Sequence, residues 1–257
     1  MQERHINREF YFEEQARTAR KYYIPYICKH IEFSSNSVLE VGCGEGGNLL
    51  PFAEMGYDVY GVDMSEYRIE QARLFFEKRE QKGSFITANI FQLKGFCHKF
   101  FIIIVHDVIE HIDNKKQFLS DLCKFLTPNG IIFIAFPAWQ MPFGGHQQIA
   151  EGKIISHLPF IHLLPTLVYR FILNVSGERE DTIKELLNIK MTKCSIEQFI
   201  SIVRQINYKI INQQYYLINP HYETKFGLTP RKLNTLIAHI PYLRNFVSTS
   251  CFYILKM

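Results

Sequence analysis

Between residues 38 and 136 the apolar positions change period in a regular way. Short runs of strand length alternate with longer stretches in which apolar residues recur every third or fourth position. Strands are predicted at 38–41, Asp58–Val62, Ser84–Thr87, Phe100–Val105 and Ile131–Phe136. Helices are predicted at Leu49–Met55, at Arg68–Lys82 with Ser65 as its N-cap, and at Asn114–Phe125. Phe100–Val105 carries no polar residue, as a central strand buried on both faces would. Strand–helix alternation of this kind specifies a doubly wound parallel sheet, an α/β fold. Ahead of it, Phe12, Ala16, Ala19, Tyr22, Tyr23, Tyr26 and Ile27 fall at helical spacing and predict a helix over 8–31, kinked or split by Pro25. A polar turn, Ser34–Ser37, joins the two. Beyond the alternation, Pro137–Met191 opens as an aromatic, glycine-rich loop and continues as an apolar stretch, Ile154–Val175, broken by Pro159 and Pro165. A helix from Ser195 to Ile206, a strand Tyr208–Leu217, a long loop Asn219–Asn245 and a strand Val247–Leu255 complete a pattern of seven strands. That loop is longer than a hairpin needs, and long loops are more often functional than idle.

The first strand runs straight into glycines 42, 44, 46 and 47, and a helix follows. Strand, glycine turn and helix N-terminus form a cradle of backbone N–H groups for a nucleotide-like ligand. Gly42, Gly44 and Gly47 satisfy the dinucleotide spacing G-x-G-x-x-G, and Gly42, Gly44 and Gly46 satisfy G-x-G-x-G. The carboxylates of Glu40 and Glu45 would repel a pyrophosphate and welcome the sulfonium and ammonium of S-adenosylmethionine (SAM), so the balance leans to SAM. Asp63, about twenty residues beyond the glycines, stands where an acid accepts ribose hydroxyls.

On these residues the chain resembles class I SAM-dependent methyltransferases, over about residues 36–137. Glu40–Gly46 matches the first motif and Val62–Ser65 the second; Asp107–His111 matches the segment after the fourth strand, and Leu126–Ala135 the next turn and strand. The resemblance implies SAM as cofactor. Glu40, Gly42, Gly44 and Gly46 would hold its methionine end, Asp63 and Met64 its ribose, and Asn89 and Ile90 its adenine, with His106 facing it from the fourth strand. The family usually has an acid near position 89; an Asn oxygen accepts the same bond less strongly. The implied fold is a Rossmann-like, mostly parallel seven-stranded sheet with an antiparallel C-terminal hairpin and a helical cap insertion. Residues 1–35 would form a helical cover, 36–137 the SAM-binding core, 138–192 the cap, and 193–257 the rest of the core with a substrate loop at 219–245.

Composition narrows the class. The 257 residues are 47% hydrophobic and 21% charged, as in an ordinary globule of one domain plus an insertion. A net charge of +4, no basic stripe and no Asn-Pro-Pro-Tyr after the fourth strand point to a small-molecule acceptor and away from nucleic acid. Six cysteines without a C-x-x-C pair imply neither zinc nor a disulfide frame and suit a cytoplasmic protein. The polar N-terminus, with Glu13 and Glu14, does not read as a signal peptide. The prolines in Ile154–Val175 argue against a membrane span. They leave a lid over the sheet edge, the favoured reading, or an apolar surface in peripheral contact with lipid.

Methyl transfer needs an aligned nucleophile and exclusion of water, and a base where the acceptor is protonated. His106, His111 and His146 are the candidate catalytic residues. His146 stands in Gly-Gly-His-Gln, whose glycines let the backbone approach a ligand. Asp107, Glu110 and His111 resemble the acidic-x-x-Glu-His pattern of ubiquinone-pathway O-methyltransferases, where such residues can hold a divalent cation. Here no metal is the favoured reading and that triad the alternative. Trp139, Phe143 and Tyr222 are candidate walls for the acceptor, while His157 and His162 read as structural. An NAD-dependent oxidoreductase and a non-catalytic SAM-binding protein remain as rival readings.

Overall fold

The computed structural model describes residues 7–32 and 35–257. Residues 1–6 of the expected cover, and Phe33 and Ser34 before the first strand, lie outside the described residues. The chain opens with α1 (Arg8–Thr18), a π-helical turn Ala19–Tyr23, and α2 (Ile24–His30). Pro25 falls in the first turn of α2, where its missing N–H costs little, and the irregular turn lies just before it. Next come β1 (Ser37–Val41), α3 (Leu50–Glu54), β2 (Asp58–Asp63), α4 (Glu66–Lys78), β3 (Ser84–Thr87), β4 (Phe100–His106), α5 (Lys115–Leu122) and β5 (Leu126–Phe136). Ser65 caps α4, its hydroxyl accepting the Arg68 N–H.

Three 3₁₀ turns and two helices, α6 (Thr166–Val175) and α7 (Glu180–Thr192), fill the interruption. Tyr169 and Leu173 of α6 pack on Ile183 and Leu186 of α7 in a small core of their own. The chain then adds α8 (Ile196–Gln205), β6 (Lys209–Ile218), α9 (His221–Phe226), β7 (Arg231–Lys232), α10 (Thr235–Ala238) and β8 (Ser250–Lys256).

The strands form one sheet in the order β3-β2-β1-β4-β5-β8-β6-β7. β1 to β5 are parallel, and β8 runs antiparallel to both β5 and β6, as the expected C-terminal hairpin requires. The sheet has eight strands because the loop after β6 contributes the two-residue edge strand β7, too short to leave a periodic signal. Along β4 side chains alternate between two cores. Ile103 and Val105 join Phe118 and Phe199 on one face, and Ile102 and Ile104 join Phe12, Phe52 and Phe76 on the other. Val41 pairs with both Val62 and Val105, so β1, β2 and β4 end level and their following loops share one edge. Among the described residues no helix is long and apolar enough to cross a membrane.

Candidate active site

The glycine bend is built by backbone hydrogen bonds to β2. The Gly42 and Cys43 N–H groups donate to the Val62 carbonyl at 2.7 and 3.2 Å. Asp63 accepts the Gly44 N–H at 2.9 Å on Oδ2 and the Ser65 N–H at 2.9 Å on Oδ1, so its carboxylate is fixed at the edge of the bend. Gly42 has φ +69°, and a Cβ there would lie 2.4 Å from Val108 Cγ2; neither the turn nor the contact admits a side chain. Gly47 serves a different purpose. A Cβ on it would stand 2.4 Å from the Phe12 carbonyl oxygen, so this glycine is the seat on which α1 packs.

The two acids of the bend are not equivalent. Glu45 is fully buried and ion-paired with Arg8, whose Nε donates to it at 2.6 Å. Glu40 is buried and accepts the Asn48 amide at 2.7 Å, and burial pushes its carboxyl up to about 8. Of the two acids expected to welcome a cationic ligand, Glu45 is thus paired with Arg8 of α1, and Glu40 is shifted by burial towards its neutral form. Met64 is exposed beside Asp63. At the end of β3, Asn89 Oδ1 accepts the Phe91 N–H at 3.1 Å, and Ile90 packs into the core, so the Asn89 oxygen is already partly committed.

A cavity of about 350 Å³ opens beyond the ends of the strands. Arg8 and Tyr11 line it from α1, His106 and Asp107 from the end of β4, His146 and Phe143 from the 138–192 segment, and Tyr222 and Lys225 from α9. His106 Nε2 lies 2.8 Å from the Tyr23 hydroxyl and 3.6 Å from Asp107 Oδ2. Arg8, Tyr11, Tyr23 and Glu185 are site residues that sequence reasoning missed. A buried acid at Glu45 demands a cation, but which basic residue supplies it depends on how α1 docks.

Glu110, His111 and His146 come together at the cavity, their nearest ligand-type atoms all within 4.8 Å of one another. Glu110 is buried, neither of its oxygens has a hydrogen-bond partner among the described residues, and burial with the nearby Asp107 charge holds its carboxyl well above the usual range. His146 Nε2 lies 3.9 Å from Glu110 Oε1, and its ring meets His111 edge-on at 5.1 Å. Burial, helped by His111, pushes the His146 imidazole down to about 4, so it is neutral at physiological pH. The loop that presents His146 is tightly held. A Cβ on Gly144 would stand 2.1 Å from the Trp139 carbonyl oxygen and one on Gly145 2.2 Å from His162 Cβ. The Gln147 side chain donates to the Pro142 and Leu158 carbonyls, each at 3.0 Å. Of the triad given as the alternative to a metal-free site, Glu110 and His111 belong to this cluster and Asp107 stands beside His106.

Phe143 and Tyr222 face the cavity, but Trp139 does not. Its ring packs edge-on against His162 at 4.7 Å, and the His162 Nε2–H donates to its carbonyl at 2.8 Å. His162 is thus structural, as is His157, which is bonded at 2.7 Å to the Lys153 carbonyl of its own turn.

Comparison with known proteins extends this geometry. Residues 39–134 match a family model described as a methyltransferase domain. The ubiquinone biosynthesis O-methyltransferase of Rickettsia typhi is 32% identical over 117 residues, 44% of this chain and 47% of that protein. The protein of the same name from Pelagibacter ubique is 34% identical over 98 residues, 38% of this chain and 40% of that one. The chain therefore spans less than half the length of these curated relatives. Two solved structures share the fold: a SAM-dependent methyltransferase from Clostridium acetobutylicum and geranyl diphosphate C-methyltransferase from Streptomyces coelicolor, both at TM-score 0.58. Their identities are 11% and 13%; they cover 94% and 92% of this chain, which in turn covers 91% and 79% of theirs. Motifs, strand order and the glycine bend agree with the family match, and residues 39–134 carry a SAM-dependent methyltransferase domain.

Proposed function

We propose that the protein transfers the methyl group of SAM to a hydroxyl oxygen of a small molecule held in the 350 Å³ cavity. The observation that carries this reading is the placement of that cavity. It adjoins the Arg8 that pairs with the glycine bend, and the polar cluster of Glu110, His111 and His146 borders it. The bend and Asp63 would hold the adenosyl and methionine parts of the donor, with Asn89 and Ile90 near the adenine. The acceptor would enter between α9 and the 138–192 segment, which acts as the cap. Phe143 and Tyr222 would fix the acceptor's plane, and the imidazoles would receive its hydroxyl. Alignment of donor and acceptor supplies most of the rate, because the sulfonium already activates the methyl. The names of the Rickettsia and Pelagibacter relatives favour oxygen as the accepting atom. Exposed apolar side chains over 154–175 favour an acceptor delivered from a lipid surface.

Calorimetry with SAM and with NADH tests the donor: SAM binds and NADH does not, and the reverse result supports an oxidoreductase instead. A screen for S-adenosylhomocysteine release over phenolic and lipophilic hydroxyl compounds then tests turnover, a lack of which would favour the non-catalytic reading. His146→Ala leaves SAM affinity intact and lowers that release at least about tenfold. Equal release would remove His146 from the reaction.

A further inference from the structure

We propose that the Tyr23 hydroxyl locks His106 in its Nδ1–H form, so that His106 meets the molecule in the cavity as a hydrogen-bond donor and not as a base. Its part in turnover rests on the methyl-transfer reading; the form of the ring can be tested without it. Tyr23 closes the π-helical turn Ala19–Tyr23, a rare element that recurs at functional sites. The two tyrosines at the end of that turn diverge. The Tyr22 hydroxyl donates to Glu223 of α9 at 2.6 Å, whereas the Tyr23 ring enters the core, 5.4 Å from the rings of Phe133 and Phe252 and 5.2 Å from that of His106. His106 is the last residue of β4, and Asp107 after it, at φ +52°, turns the chain sharply out of the sheet.

The direction of the Tyr23–His106 bond follows from a count of protons. The hydroxyl is buried, and His106 Nε2, at 2.8 Å, is its one hydrogen-bond partner among the described residues. A buried O–H without an acceptor is costly, so the hydroxyl donates and Nε2 accepts. Burial, and after it the charge of Asp107, holds the hydroxyl well above its ordinary range and keeps the proton on oxygen. Asp107 Oδ2 lies 3.6 Å from the same nitrogen, beyond hydrogen-bond distance, and does not compete for it. An uncharged imidazole carries one proton; with Nε2 accepting, that proton stands on Nδ1. Nδ1 has no hydrogen-bond partner among the described residues, and the ring borders the cavity. What completes the arrangement is an oxygen lone pair, on SAM or on the acceptor. Removal of the acceptor's proton then falls to His111 or His146, which border the same cavity. Tyr23 is a positioning residue that acts through His106.

The test uses the full chain carrying isotope-labelled histidine, recorded by proton–nitrogen NMR at about pH 8.5, where free histidine is neutral. The His106 signals, identified by their loss in His106→Asn, show a pyrrole-type Nδ1 and a pyridine-type Nε2. Tyr23→Phe keeps the ring in its packing and moves His106 towards the Nε2–H form. An Nε2–H ring in the wild type, or signals that Tyr23→Phe leaves in place, overturns the proposal. Two further readouts are SAM affinity by calorimetry and S-adenosylhomocysteine release, at saturating SAM, with the most active compound of the hydroxyl screen. His106→Leu lowers one of them about tenfold, the worth of one hydrogen bond, and the one that falls tells whether the oxygen belongs to SAM or to the acceptor. His106→Asn, whose amide N–H reaches the place of Nδ1–H, recovers most of that loss. Tyr23→Phe lowers the same readout about three- to tenfold in the wild type and adds nothing in His106→Asn. A His106→Asn protein as impaired as His106→Leu, or a His106→Leu protein unchanged in both readouts, also overturns the proposal. Melting curves establish that the variants retain the fold. A chain with the Nδ1–H ring that binds SAM and releases no product refutes the methyl-transfer reading alone, and one that releases product with an Nε2–H ring refutes the role of His106 alone.

Discussion

Glu40 carries a stability cost that binding can relieve. Its carboxyl titrates at about 8 in the folded chain because it is buried, against about 4.3 for a free glutamate. The folded state therefore holds a proton that the unfolded state gives up between those values. The resulting stability is present below about pH 4 and is lost as pH rises towards 8. Glu40→Gln keeps an acceptor for the Asn48 amide and removes the titration. The variant is therefore more stable than the wild type, by a margin that widens from pH 5 to 8 and is flat above, as thermal melts across that range will register. The cationic donor favours the ionised carboxylate, so wild-type protein releases a proton on binding SAM near pH 7 and the variant does not. Calorimetry in buffers of different ionisation enthalpy reads this, and the ligand's own amine cancels in the comparison. Equal proton release would remove Glu40 from the donor site. Sequence alone marked Glu40 as a site residue, because an acid in an apolar strand just before glycines is conspicuous. Its protonation was not legible, since that depends on burial by segments distant in the chain.

At the scale of elements, the N-terminal helical stretch ties the site together. Arg8 pairs with Glu45 of the glycine bend, Tyr23 reaches His106 at the end of β4, and Lys21 and Tyr22 hold Glu223 of α9 at 2.8 and 2.6 Å. Helical periodicity revealed the stretch, but not its seat on Gly47 or its π turn, because both arise from contacts with residues far along the chain. Removing Arg8 leaves a buried acid without its cation. Arg8→Met costs about 3–5 kcal/mol in urea melts, and adding Glu45→Gln recovers most of it. Amide exchange in the single variant quickens across 8–30 more than in β4. If the double variant is no more stable than the single one, the pair is not what holds the helix down.

For the whole molecule, the parallel sheet was legible because each of its units is local: an apolar run, a turn and an amphipathic helix. The 138–192 segment was less so, as 3₁₀ turns have no sustained period and its apolar residues divide between a small core and the surface. That division gives the chain an uneven exterior. Ile154, Leu167 and Phe171 are 75%, 84% and 66% exposed, and Leu236, in α10, is 79% exposed. Phe160 and Phe246 join the two regions, their rings 6.5 Å apart. Lys153, Arg231 and Lys232 are exposed within these regions, and no acidic residue occurs from Thr224 to Met257. Apolar side chains among cations are the composition of a surface that rests on anionic lipid. The protein should co-float with vesicles containing phosphatidylserine, bind neutral vesicles far less, and lose binding as salt is raised. Fully burying one large apolar side chain is worth about 1.5–3 kcal/mol, so Leu167→Ser and Phe171→Ser should each weaken vesicle binding about tenfold or more, with SAM affinity unchanged. Binding that is indifferent to both substitutions, or equal on neutral vesicles, would assign these side chains to another partner, since a lipid contact built from them has no other source for its apolar and charge-dependent parts.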